Sequence, residues 1–306
     1  MLIHFAKRFS QSLLILVGVS VITFMLTYLI PADPVRMLAG RSATPQAVEN
    51  IRHQLGLDQP LLVQYGRYLF NLAQGDMGRS FKQKTEVTHL VLSRMPATLE
   101  LMAGAIFFEL LIGIPAGIIG AVRRGRKADG FCMTMSFLGV SAPQFVVGLV
   151  MLYVFAYKLD WLPLGGYGTL AHLVLPALTL GITGGGWYSR MMRSSMIDVL
   201  LQDYIRTARA KGLSSFRIIM IHAMRNAVLP VIAMIGLDIG FFMAGAIVVE
   251  SVYGWPGIGQ LAWQAIQSID IPIIMGVTLV AAVFIVIGNF LADLVMPLVD
   301  PRLTQS

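Results

Sequence analysis

Six apolar runs, at 9–30, 98–122, 130–157, 172–192, 226–249 and 271–296, are each long enough to cross a lipid bilayer as a helix. A spanning helix takes about 20 apolar residues, because every backbone N–H and C=O in hydrocarbon must be bonded within the segment. Only Glu109 and Asp238 bring charge into the middle of these runs. The chain is 56% hydrophobic and 13% charged over 306 residues, against roughly 25% charged for a soluble domain. The expectation is an all-α membrane protein with six transmembrane helices. The first run follows Lys7 and Arg8 but outlasts the roughly 7 to 15 apolar residues of a secretory signal, so it reads as a retained anchor. The single cysteine, Cys132, can form no intrachain disulfide.

The formal charge of +7 raises the question of nucleic acid until the basic residues are placed. Short cytoplasmic loops collect lysine and arginine. With the N-terminus inside, the inner pieces 1–8, 123–129, 190–225 and 297–306 hold fourteen of the 23 basic residues, seven of them between Arg190 and Arg225. The short outer loops hold only Lys158, and the other eight lie in the long outer segment 31–97, whose length weakens the rule. Both termini are therefore expected in the cytoplasm, and the basic charge reads as a topology signal.

The outer segment carries helix signals of its own. Thr44 suits an N-cap with Pro45 at the first helical position and Gly56 as a stop, and a second helix is expected from about Pro60 to just before Gly75. It reads as a cap on the outer membrane face or as a docking surface for a soluble partner. The inner loop 193–225 keeps helical spacing through Met196, Val199, Leu200, Tyr204 and Ala208. Gly212 suits a stop and Ser214 a new N-cap, which predicts a helix-turn-helix projecting inward. Physically, such a basic helix fits anionic lipid as well as it fits a protein.

Asp203-Tyr-Ile-Arg-Thr-Ala-Arg-Ala-Lys-Gly-Leu213, followed by His222 through Pro230, resembles the cytoplasmic signature of binding-protein-dependent ABC permeases of the peptide, nickel and opine branch. Pro31-Ala-Asp-Pro34, Leu55 through Pro60 with Gln64-Tyr65, Gly75-Asp-Met-Gly78 and Glu250 through Gly259 resemble the same branch in the same order. The resemblance implies a type I ABC importer permease with a core at about 94–293, set in a bacterial inner membrane. It implies a second permease chain, related but different, two cytoplasmic ATPase subunits that bind ATP and Mg, and an extracytoplasmic substrate-binding protein. The cargo implied is a di- or oligopeptide, with nickel or another small solute as the alternative. Asp203, Arg206, Thr207, Ala208, Arg209, Ala210, Lys211 and Gly212 would form the helix that couples to the ATPase. Arg206 and Thr207 depart from the family's Glu-Ala at those positions.

Ionisable groups inside a span cost about 2.5 to 3.5 kcal/mol on insertion scales, which makes Glu109 and Asp238 candidates for the translocation path. Gly236 and Gly240, which flank Asp238, are counted with it as path candidates, and as a small-residue stripe they also suit close helix packing. Asp238 reads as facing the path, where it could meet a substrate amine, or as a buried hydrogen-bond partner. Trp255, Pro256, Gly257 and Gly259, in the loop 250–270, are candidates for an outer gate or a binding-protein contact, and Tyr253, Trp255 and Trp263 also fit an interfacial aromatic belt. The histidines His4, His53, His89, His172 and His222 have no metal-ligand spacing, and no phosphate-cradling Gly-rich sequence is present. No catalytic residue, metal or cofactor is therefore expected in this chain. Two rival classes are a proton-coupled transporter relaying through Asp238 and Glu109, and a membrane aspartyl protease, for which Asp293 stands too far toward the inner end of its span to pair with Asp238.

Overall fold

Prolines and glycines decide where the apolar runs stay straight and where they break. The computed structural model describes residues 2–29, 35 and 44–299. The Pro31–Pro34 motif and the chain after Val299 lie outside them. In order the helices are α1 (Leu2–Leu29), α2 (Pro45–Leu55), α3 (Leu61–Ala73), α4 (Val87–Val122), α5 (Lys127–Ser141), α6 (Gln144–Lys158), α7 (Leu170–Leu200), α8 (Asp203–Ala210), α9 (Ser215–Ala227), α10 (Leu229–Met243), α11 (Ile247–Tyr253), α12 (Ile258–Ser268) and α13 (Ile271–Val299). Among the described residues the only strand-like pairing is a single bridge between Arg79 and Glu86.

Three helices, α4, α7 and α13, are unbroken and apolar enough to span, and two bent pairs, α5–α6 and α9–α10, reach that length together. The run 130–157 is thus not one rod: it turns by 102° between α5 and α6. Pro143 is the cause, since it pushes Ala142 into an extended conformation at φ −74° and ψ 128°. Pro230, in the first turn of α10, accompanies a gentler 48° bend after Ala227. The outer segment folds as its caps predict. The Thr44 side chain accepts from the Ala47 N–H, and Gly56 closes α2 at φ +65°. α3 then packs on α1, where Tyr65 and Tyr68 bond the hydroxyls of Ser20 and Thr23 at 2.8 and 3.2 Å.

The body is built on α4 against α7, and glycines on both helices allow the approach. A Cβ at Gly113 would stand 2.5 Å from that of Tyr188, one at Gly117 2.6 Å from that of Met192, and one at Gly181 2.3 Å from that of Phe108. On the far side α10 packs on α13 through Gly236 and Gly240, which lie against Ala292, Gly288 and Ile285. Two polar clamps tie the ends. Arg193 donates from Nε and Nη2 to the two Asp129 carboxylate oxygens at 2.7 and 2.8 Å, which holds the α4–α5 turn against α7. Asp270, between α12 and α13, accepts from the Ser80 hydroxyl at 2.5 Å and from the Phe81 and Lys82 N–H groups at 3.1 Å, which seats the outer segment on that corner.

Candidate functional site

Three places hold the residues singled out by sequence: the loop around α8, the junction of α4, α7 and α10, and the turn between α11 and α12. In the first, α7 runs on as one helix to Leu200, and a short turn then releases α8. Ile205 and Ala208 are buried in a cluster with Met192, Met196, Ile218 and Ala223. Tyr204 adds a second tie through its hydroxyl, which accepts from the Asn226 amide at 2.8 Å. Asp203, Arg206, Thr207, Arg209, Ala210, Lys211 and Gly212 are all exposed. Ala208 therefore faces the body of its own chain. Gly212 ends α8 at φ +76° with open space around it, and its N–H donates to Arg209 O at 3.0 Å. The Ser214 hydroxyl accepts from Arg217 N at 3.4 Å and starts α9. The result is a short basic helix pinned on one face and presented on the other.

In the second place, Glu109 and Asp238 come together although 129 positions separate them in sequence. Glu109 is 3% exposed and its carboxyl group stands beside that of Asp238. Tyr188 donates its hydroxyl to Asp238 Oδ2. Sequence reasoning missed Tyr188; the signal was there in Gly184-Gly-Gly186, which clears room beside α4 just ahead of it. A cavity of about 260 Å³ opens here, with Gln144 and Thr183 as its other polar side chains besides the two carboxylates. Gly236 and Gly240 are not part of this site. They occupy the opposite face of α10, against α13, so the carboxylate and the small-residue stripe have separate roles.

The third place differs from the aromatic-belt expectation. Trp255 and Tyr253 are 1% and 2% exposed, packed in the core with Leu101 and Leu175, and only Trp263 reaches the surface. Trp255 donates its indole N–H to Ala97 O at 2.8 Å, and Ile258 N–H donates to Thr98 Oγ1 at 2.8 Å. Pro256 shapes the turn between them. Glu250, wholly buried, accepts from Gln260 N–H at 2.7 Å. Its carboxyl lies so close to Gly257 and Gly259 that a Cβ at either would stand within 2.9 Å of it. Burial pushes the Glu250 carboxyl up to about 7, with the hydrogen bonds from the α12 end and the nearby Arg94 opposing the shift.

Among the described residues no group of three or more histidine, cysteine or carboxylate side chains is placed to hold a metal ion.

Residues 113–305 match the family described as binding-protein-dependent transport system inner membrane component, and residues 1–102 match its N-terminal companion family. The glutathione transport system permease protein GsiC of Escherichia coli (strain K12) is 39% identical over 303 residues, 99% of each chain. The probable D,D-dipeptide transport system permease protein DdpB of the same strain is 41% identical over an alignment of 322 positions, covering 96% of this chain and 95% of that one. A chain of the MetNI methionine ABC transporter in an inward-facing conformation superposes with a TM-score of 0.59 at 16% identity, over 69% of this chain and 96% of that one, which shows a shared fold. With family models spanning nearly its whole length and relatives aligned end to end, the chain belongs to the binding-protein-dependent transport system inner membrane components, the permeases of ABC importers.

Proposed function

We propose that this chain is one of two permease subunits of an ATP-driven importer that carries a di- or oligopeptide, or a similar small solute, across the bacterial inner membrane. A related but different permease chain completes the path. An extracytoplasmic binding protein delivers the solute, and two cytoplasmic ATPase subunits, which bind ATP and Mg, supply the work. The termini and α8 lie on the cytoplasmic side, with the segment 31–97 and the α11–α12 turn outside. Relatives named for glutathione and D,D-dipeptide transport support a peptide-type cargo.

The observation that carries this reading is the mounting of α8. Ile205 and Ala208 bind it to the same cluster as Met192 and Met196 of the spanning helix α7, while Asp203, Arg206, Thr207, Arg209 and Lys211 point away. A push on the exposed face is therefore transmitted to a helix that crosses the membrane. Arg206 reaches Asp203 at 3.2 Å, both side chains largely in solvent, and such exposed pairs add about 0 to 1 kcal/mol at most, so these charges are free to be redirected to an ATPase subunit. In the outer turn, Trp255, Pro256, Gly257 and Gly259 act as a rigid closure against α4.

The test is Gly212→Val in the intact importer reconstituted in proteoliposomes. A β-branched residue is strained at φ +76°, so α8 ends differently while α4, α7 and α10 are untouched. Solute uptake is expected to fall at least tenfold, with insertion and binding-protein-stimulated ATP hydrolysis retained. Wild-type uptake in that variant, or labelling of a Lys211→Cys variant only from the outer side, removes the coupling assignment.

A further inference from the structure

We infer that Glu109 and Asp238 form the site where a primary ammonium group of the passing solute is held within the membrane; this rests on the permease reading above and names the part of the cargo that this chain recognises. The argument begins with an imbalance. Glu109, 97% buried by its 3% exposure, has an Oε2 atom that receives no hydrogen bond among the described residues. Its carboxyl neighbour is another acid, Asp238, and two donors serve the Asp238 carboxylate: the Tyr188 hydroxyl, and Glu109 itself when it carries a proton. No lysine, arginine or histidine lines the cavity between them. Arg190, the nearest arginine along α7, is turned aside and stacks on Trp187 and Phe137 at 4.2 and 5.2 Å from the ring centroids.

Two carboxylates side by side in a low-dielectric setting do not both ionise unless a cation lies between them; otherwise they share a proton. Among the described residues none provides that cation at this cavity, so the pair holds a proton when the site is idle and a solute cation when it is loaded. An ammonium group has three N–H donors and no acceptor, which complements a cluster made of acceptors. The cavity's volume of about 260 Å³ and the Phe241 and Trp187 rings on its rim suit such a group with a short chain attached. Both rims are open in this chain, at 62% exposure for Phe241 and 55% for Trp187, so the cavity opens on the surface of the helix bundle. The backbone is shaped to admit the Glu109 side chain: a Cβ at Gly184 would stand 1.8 Å from Glu109 Oε1. Gly184 is thus a positioning residue for this carboxylate.

Two measurements on the intact importer in proteoliposomes test the site separately from the peptide reading. In the first, dicyclohexylcarbodiimide and isotopically labelled ethylamine are added, and mass spectrometry reads where an ethylamide forms. An amine resident between the carboxylates is expected to couple to Glu109 or Asp238 in wild type, with at least a tenfold drop in Gly184→Ala, where Glu109 is displaced. No ethylamide on either carboxylate in wild type overturns the site, whatever the importer carries. In the second, uptake of radiolabelled dialanine is compared between wild type, Asp238→Asn and Asp238→Glu. The expected result is at least a tenfold loss in the Asn variant, with ATP hydrolysis within twofold of wild type and partial recovery in the Glu variant. Dialanine uptake unchanged in Asp238→Asn also overturns the site. Ethylamide formation without dialanine uptake by wild type supports the site and removes the peptide reading alone.

Discussion

The α8 loop and the α11–α12 turn are both short, glycine-bearing motifs between long helices, yet they use their residues in opposite directions. Around α8, two side chains face in and the rest face out. Around α12, Trp255, Gly257, Ile258 and Gly259 all face in, and Glu250 is sealed beneath them. A motif whose side chains lie in solvent is shaped by something outside the chain, whereas one whose side chains are buried is shaped by the chain's own packing. Substitutions in the two regions should therefore separate stability from transport.

The largest effect on stability is expected at Trp255→Ala. Removing a fully buried aromatic and its bond to Ala97 O should cost about 3–5 kcal/mol, seen as a steep fall in melting temperature of the detergent-purified protein. A melting temperature near wild type would put the α11–α12 turn in the same class as α8. Next comes a dependence on pH. Burial raises the Glu250 carboxyl from its ordinary value near 4.5 to about 7, so the folded state keeps a proton that the unfolded chain gives up between those values. Stability from this group is greatest at the acidic end, falls as pH rises through that window, and is level above it. Glu250→Gln should flatten this part of the melting profile between pH 5 and 8; a profile parallel to wild type would show that the carboxyl is solvated.

On the α8 side, Ser214→Ala removes an N-cap, which typically costs about 1 kcal/mol, and should lower the melting temperature slightly. The smallest stability change belongs to the double substitution Arg206→Ala with Lys211→Ala, expected within about 0.5 kcal/mol of wild type as at other exposed sites. Its effect should appear in uptake instead, with at least a fivefold loss. Unfolding of that variant, or full uptake by it, would erase the contrast between the two regions.

Several features were legible because they are local. Thr44, Gly56, Gly212 and Ser214 end and begin helices where their side-chain chemistry and backbone freedom predict, since a cap involves only its own turn. Others were visible as residues without their consequence. Pro143 stands plainly inside an apolar run, but the 102° turn it permits depends on α5 and α6 each finding a place on α7. The aromatic residues of the outer turn fitted an interface by composition, and only their packing under α4 shows that Tyr253 and Trp255 are core.

By itself the sequence determined that the chain is a helical membrane protein and which family it joins, because apolar length and motif order are properties of the linear chain. It also marked Glu109 and Asp238 as costly, since a charge in an apolar run is recognisable without neighbours. Tertiary structure alone decided that these two carboxylates meet, that Tyr188 joins them and that Gly236 and Gly240 turn the other way. The physical reason is that side-chain direction around a helix selects partners only once helices are packed. α4 and α7 come together through glycine-cleared contacts between residues far apart in the chain, and α10 packs beside both.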